Sequence, residues 1–331
     1  MPEYVIYISL VPNAKFRFGR YTPFDSENLN DTDWAPKSDT LFSSLGTMAN
    51  LLSPALAETL VLQFQNHEIG ISDAFYFLKK EDRLVRFLPK PVFVGRLGAV
   101  KDKMLSKVRY VSESALKELS PAGSEKAPVL QSLFLITPSE RDLLSNVNVL
   151  ARKTDIPKVS ARKPKADDSY YQITFVETNL HTPSAETGLY FYLNCSEQIK
   201  NELTPLFGYW KHFGFGGRKN SNKPVVDIRV EEKIQTVLKE GEMVMTISNY
   251  IPEKEEMSAL TYYHKELRGG YKLGFDEQRA KVVPCVKSGS ICRWQEQKGQ
   301  IADLSVTEDD PVLRYGRFMA IPLPENIFKH D

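Results

Sequence analysis

Short apolar runs of strand length, separated by polar loops, dominate this chain, and two stretches instead repeat their apolar positions with the period of a helix. Residues 4–11 (YVIYISLV) are dense in β-branched and aromatic side chains and are closed by Pro12 and Asn13, which predicts a strand. FRFG at 16–19 continues it after a bend. From Arg20 to Lys37 neither period is present, Pro23 and Pro36 interrupt, and the segment reads as a loop. At Ser38 the pattern turns helical: in SDTLFSSLGTMANLL the residues Leu41, Phe42, Leu45, Met48, Ala49 and Leu52 share one face. Ser38 or Asp39 stands where an N-cap would accept a bond from a first-turn N–H. A second helix is predicted within 54–66, strands at 73–78, 84–88, 91–94 and 132–137, and a helical insert around 101–120.

Residues 151–168 (ARKTDIPKVSARKPKADD) break the pattern, being basic and punctuated by Pro157 and Pro164, and YYQITFVE then resumes a strand. Near Gly188 a second unit begins: GLYFYLNC is a predicted strand, and SEQIKNELTPLFGYWKHF a helix with Leu203, Leu206, Phe207 and Trp210 on one side. The glycine-rich GFGGRKNSNKP leads into the strand VVDIRV; MVMTISNY follows a turn near Gly241, and the chain runs through 260–275 and 281–294 to a last strand, RYGRFMAIPL. Strand–helix–strand–strand thus occurs near each terminus. That predicts an α+β fold of two βαββαβ sandwiches side by side, divided as 1–180 and 181–331.

Composition sharpens this only a little. A chain of 331 residues, at ~150 per domain, has room for two domains. Its 42% hydrophobic content excludes long disorder or a fibrous repeat. The three cysteines, an odd number, fit a reducing, cytoplasmic compartment, and Cys285 and Cys292 lack the companions a structural zinc needs. The first twenty residues do not read as a signal peptide, and no run approaches ~18 apolar residues, so no membrane partner is expected. Lys and Arg total 43 against 42 Asp and Glu, so a nucleic-acid partner requires that positive charge be concentrated locally.

Three places concentrate it. Gly214, Gly216 and Gly217 are followed by Arg218, Lys219, Asn220, Ser221, Asn222 and Lys223, with Lys211 and His212 just upstream and no acid between Lys211 and Pro224. Glycines permit positive φ and close backbone approach, so successive N–H groups can cradle a phosphate. The spacing matches neither GxxxxGKS/T nor GxGxxG, and a flexible surface turn with solvated charges is the plain alternative. The second place is the arm 151–168, where from Arg152 to Lys165 the six cations Arg152, Lys153, Lys158, Arg162, Lys163 and Lys165 face one acid, Asp155; a projecting hairpin or an exposed charged linker both suit it. A broader zone, 79–109, has ten Lys or Arg against three acids and reads mostly as solvated faces. The third place is Lys37, Ser38 and Asp39 at the helix start, an anion site or simple capping. The five histidines show no metal-ligand spacing; His212 alone lies where an imidazole could act as a base on a ribose 2′-OH, although a phosphate or stacking contact is the commoner use. No cofactor is expected.

A first strand, F-x-F-G, a loop and SDTLF opening an amphipathic helix, followed by GFGGRKNSNKP and RYGRFMAIPL, resemble the Csm four subunit family, RAMP components of type III-A CRISPR interference complexes. The resemblance runs from about residue 4 to 323; where family loops often carry a later glycine, this chain has Asn220, Ser221 and Asn222. It implies two ferredoxin-like, RRM-related domains with a thumb-like basic hairpin at about 151–168. It also implies a non-catalytic subunit that grips the repeat-derived 5′ tag of the guide RNA, beside a backbone RAMP subunit and the large polymerase/nuclease-type signature subunit. Carried onto this chain, the tag-binding residues are Gly214, Gly216, Gly217, Arg218 and Lys219, with Ser38 and Asp39 at the helix start and the finger from Lys158 to Lys165. The competing enzyme reading is a metal-independent repeat-processing endoribonuclease with His212 as base and Lys211 or Lys219 steadying the phosphate charge; a third is a lone single-strand RNA-binding module.

Overall fold

The computed structural model describes residues 3–19, 31–93, 106–118, 129–131, 133–144, 150–159, 170–178, 185–217, 225–233, 238–239, 241–269, 281–305, 312–324 and 327. Its first strand, β1 (Glu3–Leu10), is buried from end to end, so it shows no alternation: both faces are covered, as in the middle of a layered sheet. Before residue 180 come β2 (Ala14–Phe16), β3 (Gly70–Ile71), β4 (Phe75–Lys80), β5 (Arg83–Pro89), β6 (Tyr110–Ser112), β7 (Val129–Gln131), β8 (Phe134–Ile136), β9 (Ala151–Val159) and β10 (Tyr170–Thr178). β11 (Glu186–Asn194) and β12 (Val225–Lys233) follow. The helices are α1 (Ser38–Leu52), α2 (Pro54–Gln65), α3 (Glu113–Glu118), α4 (Arg141–Leu144) and α5 (Glu197–Phe213).

The main sheet has nine strands in the order β12-β1-β11-β4-β5-β6-β8-β7, with β3 on β11. β1 is antiparallel to both its neighbours, with Glu3 opposite Asn194 and Lys233. Taken along the chain, β1, α1, β4, β11, α5 and β12 form a βαββαβ path whose strands lie in the order fourth, first, third, second. β5 to β10 are inserted between its second and third strands. Gly188 is required near the start of β11, because a Cβ there would stand 2.1 Å from the Ile8 carbonyl oxygen. The expected helix faces hold for Leu41, Phe42, Leu45, Met48 and Ala49 of α1 and for Leu203, Leu206, Phe207 and Trp210 of α5, all buried. The two helices meet where the Trp210 indole N–H donates to Ser44 Oγ at 2.9 Å.

Beyond β12 the elements are short: β13 (Met243–Thr246), β14 (Leu260–Tyr262), β15 (Lys265–Arg268), β16 (Val283–Val286), β17 (Ile291–Arg293), β18 (Gly299–Asp303), β19 (Leu313–Arg317) and β20 (Ala320–Pro322). They make a four-stranded sheet, β14-β17-β13-β20, and the pairs β15-β16 and β18-β19. β19 fastens this part to the helices. Tyr315 packs against Phe42 and Phe64 and its hydroxyl exchanges hydrogen bonds with Ile71 N–H and C=O. Arg317 donates to the Phe64, Gln65 and Gly299 carbonyls, satisfying the C-terminal end of α2.

Several expectations are corrected. The division at 180/181 cuts through one sheet, since β11 and β12 flank β1; a break between β12 and β13 respects the sheets. Among the described residues the part after 243 has no α-helix and is no second βαββαβ sandwich. Pro252 and Pro284 and the left-handed turns at Gly289 and Gly299 keep its segments short. RYGRFMAIPL splits into β19 and β20, which join different sheets. No strand forms at 91–93, where Pro89 and Pro91 remove two ladder donors. Leu52 is 46% exposed, because the chain leaves α1 at Ser53 in an extended conformation. Of the expected insert at 101–120, the described part is β6 and the short α3; the rest lies outside the described residues.

The helix register is checked by two substitutions on one helix. Leu45→Asp places an unpaired charge in the core and should abolish the cooperative melt, whereas Leu51→Asp, at a position 63% exposed, should leave the melting temperature within a few degrees of the parent. Circular dichroism melts of both variants test this, and equal melts would refute the register.

Candidate RNA-binding surface

The glycine-rich loop begins as the C-cap of α5. Gly214 takes a positive φ of 64° and its N–H donates to the Trp210 carbonyl at 2.9 Å. Phe215 then turns inward onto Phe16, Phe18 and Trp210, with ring centroids 5.2, 6.1 and 5.2 Å away. Gly216 has φ 90°, and a Cβ there would lie 2.9 Å from the Arg17 carbonyl oxygen and 3.1 Å from the Phe18 ring. Gly217 N–H donates to that same carbonyl at 2.7 Å. The first half of the loop is therefore pinned to the segment after β2, and β12 pins the chain again from Val225. Arg218, Lys219 and Asn220 lie between these anchors, outside the described residues.

Upstream, Lys211 is less free than the sequence suggested. Its Nζ donates to Asp227 Oδ1 at 2.6 Å, an acid just beyond Pro224 on β12, and that hydrogen bond holds the Asp227 carboxyl below its usual range. Both partners are half exposed, so the pair adds about 0–1 kcal/mol. His212 is exposed on the last turn of α5.

The basic stretch 151–168 was expected as a break in the pattern, yet its described half is β9, paired with β10 over nine positions from Val159↔Tyr170 to Ala151↔Thr178. β10 also pairs with β2, so this ribbon and the glycine-rich loop are both fixed to the segment Ala14–Phe18. The base of the ribbon is buried at Ile173 and Val176, and its far end is open: Tyr170 is 75% exposed, Val159 57%, and Lys158 is exposed beside them. Arg152 pairs with Glu177 at 2.9 Å, and Lys153 pairs with Asp31 and lies over the Trp34 ring. Arg162, Lys163 and Lys165 lie outside the described residues.

The helix-start residues need the largest correction. Ser38 and Asp39 are buried, and neither caps α1 with its side chain. The capping carboxylate comes from elsewhere: Asp73 Oδ1 accepts from Ser38 N–H at 2.8 Å and Asn249 N–H at 3.1 Å, and its Oδ2 accepts from Lys37 Nζ at 2.9 Å. Ser38 Oγ accepts a further bond from Asn249 N–H. Asp39 accepts two bonds from Arg268, at 2.9 and 2.8 Å, and one from Arg314 at 2.8 Å; Arg268 also reaches Asp33 at 2.8 Å. Burial alone would raise the Asp39 pKa, but the two guanidiniums outweigh it and hold the carboxyl well below its ordinary value. Lys37 is likewise held protonated, burial being outweighed first by Asp73. A saturated, buried carboxylate offers nothing to a phosphate, so Ser38 and Asp39 are structural, Asp39 joining α1 to β15 and β19 and Ser38 joining it to Asp73 and Asn249. Arg268 and Arg314 are the residues that sequence reasoning missed; no local signal marks them, since β15 (KELR) and β19 (LRYGR) each carry a further basic residue.

Among the described residues no three His, Cys, Asp or Glu side chains cluster as metal ligands, and no helix is long and apolar enough to cross a membrane. The three cysteines are free and buried, and burial pushes each thiol up to about 12. Asp39→Asn should destabilise the fold by about 3–5 kcal/mol in urea melts, since two arginines lose their counter-charge in a buried place. The folded-state pKa of Asp39 lies below its ordinary value of 3.8, so its contribution is present above that pH and is lost as the pH falls further. The variant should therefore lose less stability than the parent below pH 3.8; a parallel decline in both would refute the clamp.

Residues 239–323 match the family model of the CRISPR Csm4 C-terminal domain. These are the residues that fold apart from the main sheet. No curated protein matches the chain. Among solved structures, the chain is similar to one from the crystal structure of the Csm3-Csm4 subcomplex of the type III-A CRISPR-Cas interference complex, with a TM-score of 0.68 and 17% identity over 97% of this chain and 99% of that one. It is also similar to chains of the Csm1-Csm4 cassette. In the complex with cA4 the TM-score is 0.60 at 18% identity, covering 97% and 98% of the two chains. In the complex with pppApA it is 0.59 at 19%, covering 98% and 100%. Csm4 is the subunit these assemblies share. The chain thus carries the Csm4 C-terminal domain on the fold of Csm4 chains, and the resemblance to the Csm four family of RAMP subunits is borne out.

Proposed function

We propose that this chain is a non-catalytic guide-RNA-binding subunit of a type III-A CRISPR effector complex, working in the cytoplasm. It grips the repeat-derived 5′ tag of the guide RNA and caps the backbone filament next to the large signature subunit. The observation that carries this is likeness over the full length to chains solved together with Csm3 and with Csm1. The partners of those chains fit the two partners proposed here. The βαββαβ path of residues 3–233 is the ferredoxin-like, RRM-related element of the reading, and the β9–β10 ribbon is its thumb.

Guide-dependent systems leave sequence reading to base pairing and ask their proteins to hold the RNA backbone. The chemistry proposed here suits that task. Gly214 and Gly216 hold positive φ that a side chain would strain, Gly217 is bonded through its N–H to the Arg17 carbonyl, and Arg218, Lys219 and Asn220 continue from them in sequence. Lys158, Arg162, Lys163 and Lys165 lie on or follow the open end of β9, and His212 is exposed beside the loop. An unpaired RNA can splay its bases against exposed rings such as Tyr170. The endoribonuclease reading is not favoured. Of the two cations it names, Lys211 or Lys219, Lys211 is bonded to Asp227.

Arg218→Glu with Lys219→Glu should weaken binding of a tag RNA by at least about tenfold while leaving the circular dichroism spectrum unchanged. With ~6 phosphates contacted in the assembled particle, log affinity should fall against log salt with a slope of roughly −4. Unchanged RNA affinity in the charge-reversed variant would remove the loop from the site. Metal-independent cleavage of repeat RNA that disappears in His212→Ala would replace the proposed function with the enzyme reading.

A further inference from the structure

A cavity of about 190 Å³ opens between the main sheet and the C-terminal sheets. Trp34 and Lys37 enter it from the segment before α1, Arg109 and Tyr110 from the start of β6, and His264 and Lys287 from the ends of β15 and β16. This volume is below the ~300–1,000 Å³ of pockets that hold drug-sized ligands, so one phosphate group with part of one nucleotide fits, and a run of nucleotides does not.

The charge in it is one-sided. Four lining residues are cationic, Lys37, Lys90, Arg109 and Lys287, against the two carboxylates of Asp33 and Asp73. Both carboxylates are engaged, Asp33 by Arg268, and Asp73 by Lys37 and two backbone N–H groups. Among the described residues, no carboxylate lies within ion-pair distance of Arg109 or Lys287. Lys37 donates to Asp73 and Ser288, which leaves the third of its N–H donors without a partner among the described residues. Burial and then the neighbouring Lys37 charge lower the Lys287 pKa, and burial and Arg109 lower that of Lys90. Glu266 of β15 also acts on Lys37 and Lys287, favouring their charged forms, but it does not line the cavity, and four lining cations against two engaged carboxylates leave a favourable place for an anion.

The cavity also adjoins the surface described above. The Trp34 ring that lines it lies under the Lys153 ammonium of β9, 5.2 Å from the ring centroid, so the cavity and the base of the β9–β10 ribbon share a wall. On its other side His264 follows two exposed tyrosines, Tyr262 and Tyr263. A cationic recess between aromatic side chains suits a phosphate that carries a base, more than a bare carboxylate or sulfate.

We propose that this cavity seats one nucleotide-borne phosphate, with Arg109, Lys287 and the remaining Lys37 N–H as its donors and Trp34 beside the base. The phosphate belongs either to one link of the RNA or to a free mononucleotide. The RNA source rests on the proposed function; the pocket does not.

The test uses the full chain and the double variant Arg109→Gln, Lys287→Gln, whose side chains are exposed or partly exposed and bear no hydrogen bond of the fold among the described residues. Labelled tag RNA is followed by fluorescence anisotropy, and adenosine monophosphate and inorganic phosphate by calorimetry. Loss of two charge-assisted contacts should weaken the occupying ligand by about tenfold or more, with an unchanged melting temperature. If RNA binding falls in this way and adenosine monophosphate does not compete, the cavity holds a link of the RNA. If adenosine monophosphate binds the parent and not the variant, the source is a free nucleotide, and this stands even if the parent binds no RNA and the proposed function fails. If the Arg218→Glu, Lys219→Glu variant loses RNA while the cavity variant keeps both RNA and nucleotide affinity, the proposed function stands and the cavity proposal is overturned. Absence of any binding of nucleotide, phosphate and RNA to the parent overturns it as well.

Discussion

Asp39 sits at the first turn of α1 and accepts guanidinium hydrogen bonds from Arg268 and Arg314, 229 and 275 residues further along the chain. Bringing a carboxylate and two guanidiniums out of water is costly, and apolar side chains of similar volume would hold two layers together as well or better. What the ion cluster adds is geometry. The Arg268 fork fits one carboxylate in one orientation, and its remaining nitrogen is taken up by Asp33. Asp73 repeats the arrangement alongside, drawing Lys37, Ser38 N–H and Asn249 N–H to one carboxylate. At the other end of the helical hairpin, Arg317 closes the last carbonyls of α2. Arg314 and Arg317, with Tyr315 between them, make β19 a strut from the head of α1 to the tail of α2, and this fixes where the C-terminal sheets stand against the main sheet.

The same network decides which cations remain for a ligand. A sequence count cannot distinguish a lysine that faces water from one that neutralises a buried acid. Arg152 and Lys153 belong to Glu177 and Asp31, Lys211 to Asp227, and Lys37 to Asp73. Removing these from the tally of described residues narrows the places the runs suggested, and Lys158 at the end of β9 and the cavity wall at Arg109 and Lys287 are among the cations that remain. For a chain with a net charge of +1, such local excess is the only electrostatic means of attracting a polyanion.

Elements with a strong local signal were legible. β1 follows from its β-branched and aromatic run and α1 and α5 from apolar period, and the buried faces of both helices fall where the period put them, Leu52 excepted. Strand partnership was not legible, because nothing local in GLYFYLNC states that it lies beside residues 3–9; hence the misplaced division at 180/181. β9 was hidden because an edge strand tolerates Pro157 and charged residues on both faces, so its composition imitates a linker. Asp39 was misread for a related reason. An acid at a helix start has one local signature whether it caps the helix or clamps a distant arginine, and only Arg268 and Arg314 tell the two apart.

The glycine-rich loop gains its meaning from what its first half touches. Gly217 and Phe215 are held by Arg17 and Phe18, and the strand just before those residues pairs with β10. Loop and ribbon therefore share one support, although thirty-five residues of chain separate β10 from Gly214. Under the proposed function, the described starts of the loop and of the ribbon hold their spacing before any ligand arrives, so less ordering is left to be done when a flexible strand lies across both. A strand of single-stranded RNA loses much of its own freedom on binding, and a surface whose anchors are already in place limits the loss to the ligand's side. This is why Gly216 matters more than its lack of charge suggests: a side chain there would press on the Arg17 carbonyl and the Phe18 ring, and would push the loop off the support that the ribbon shares.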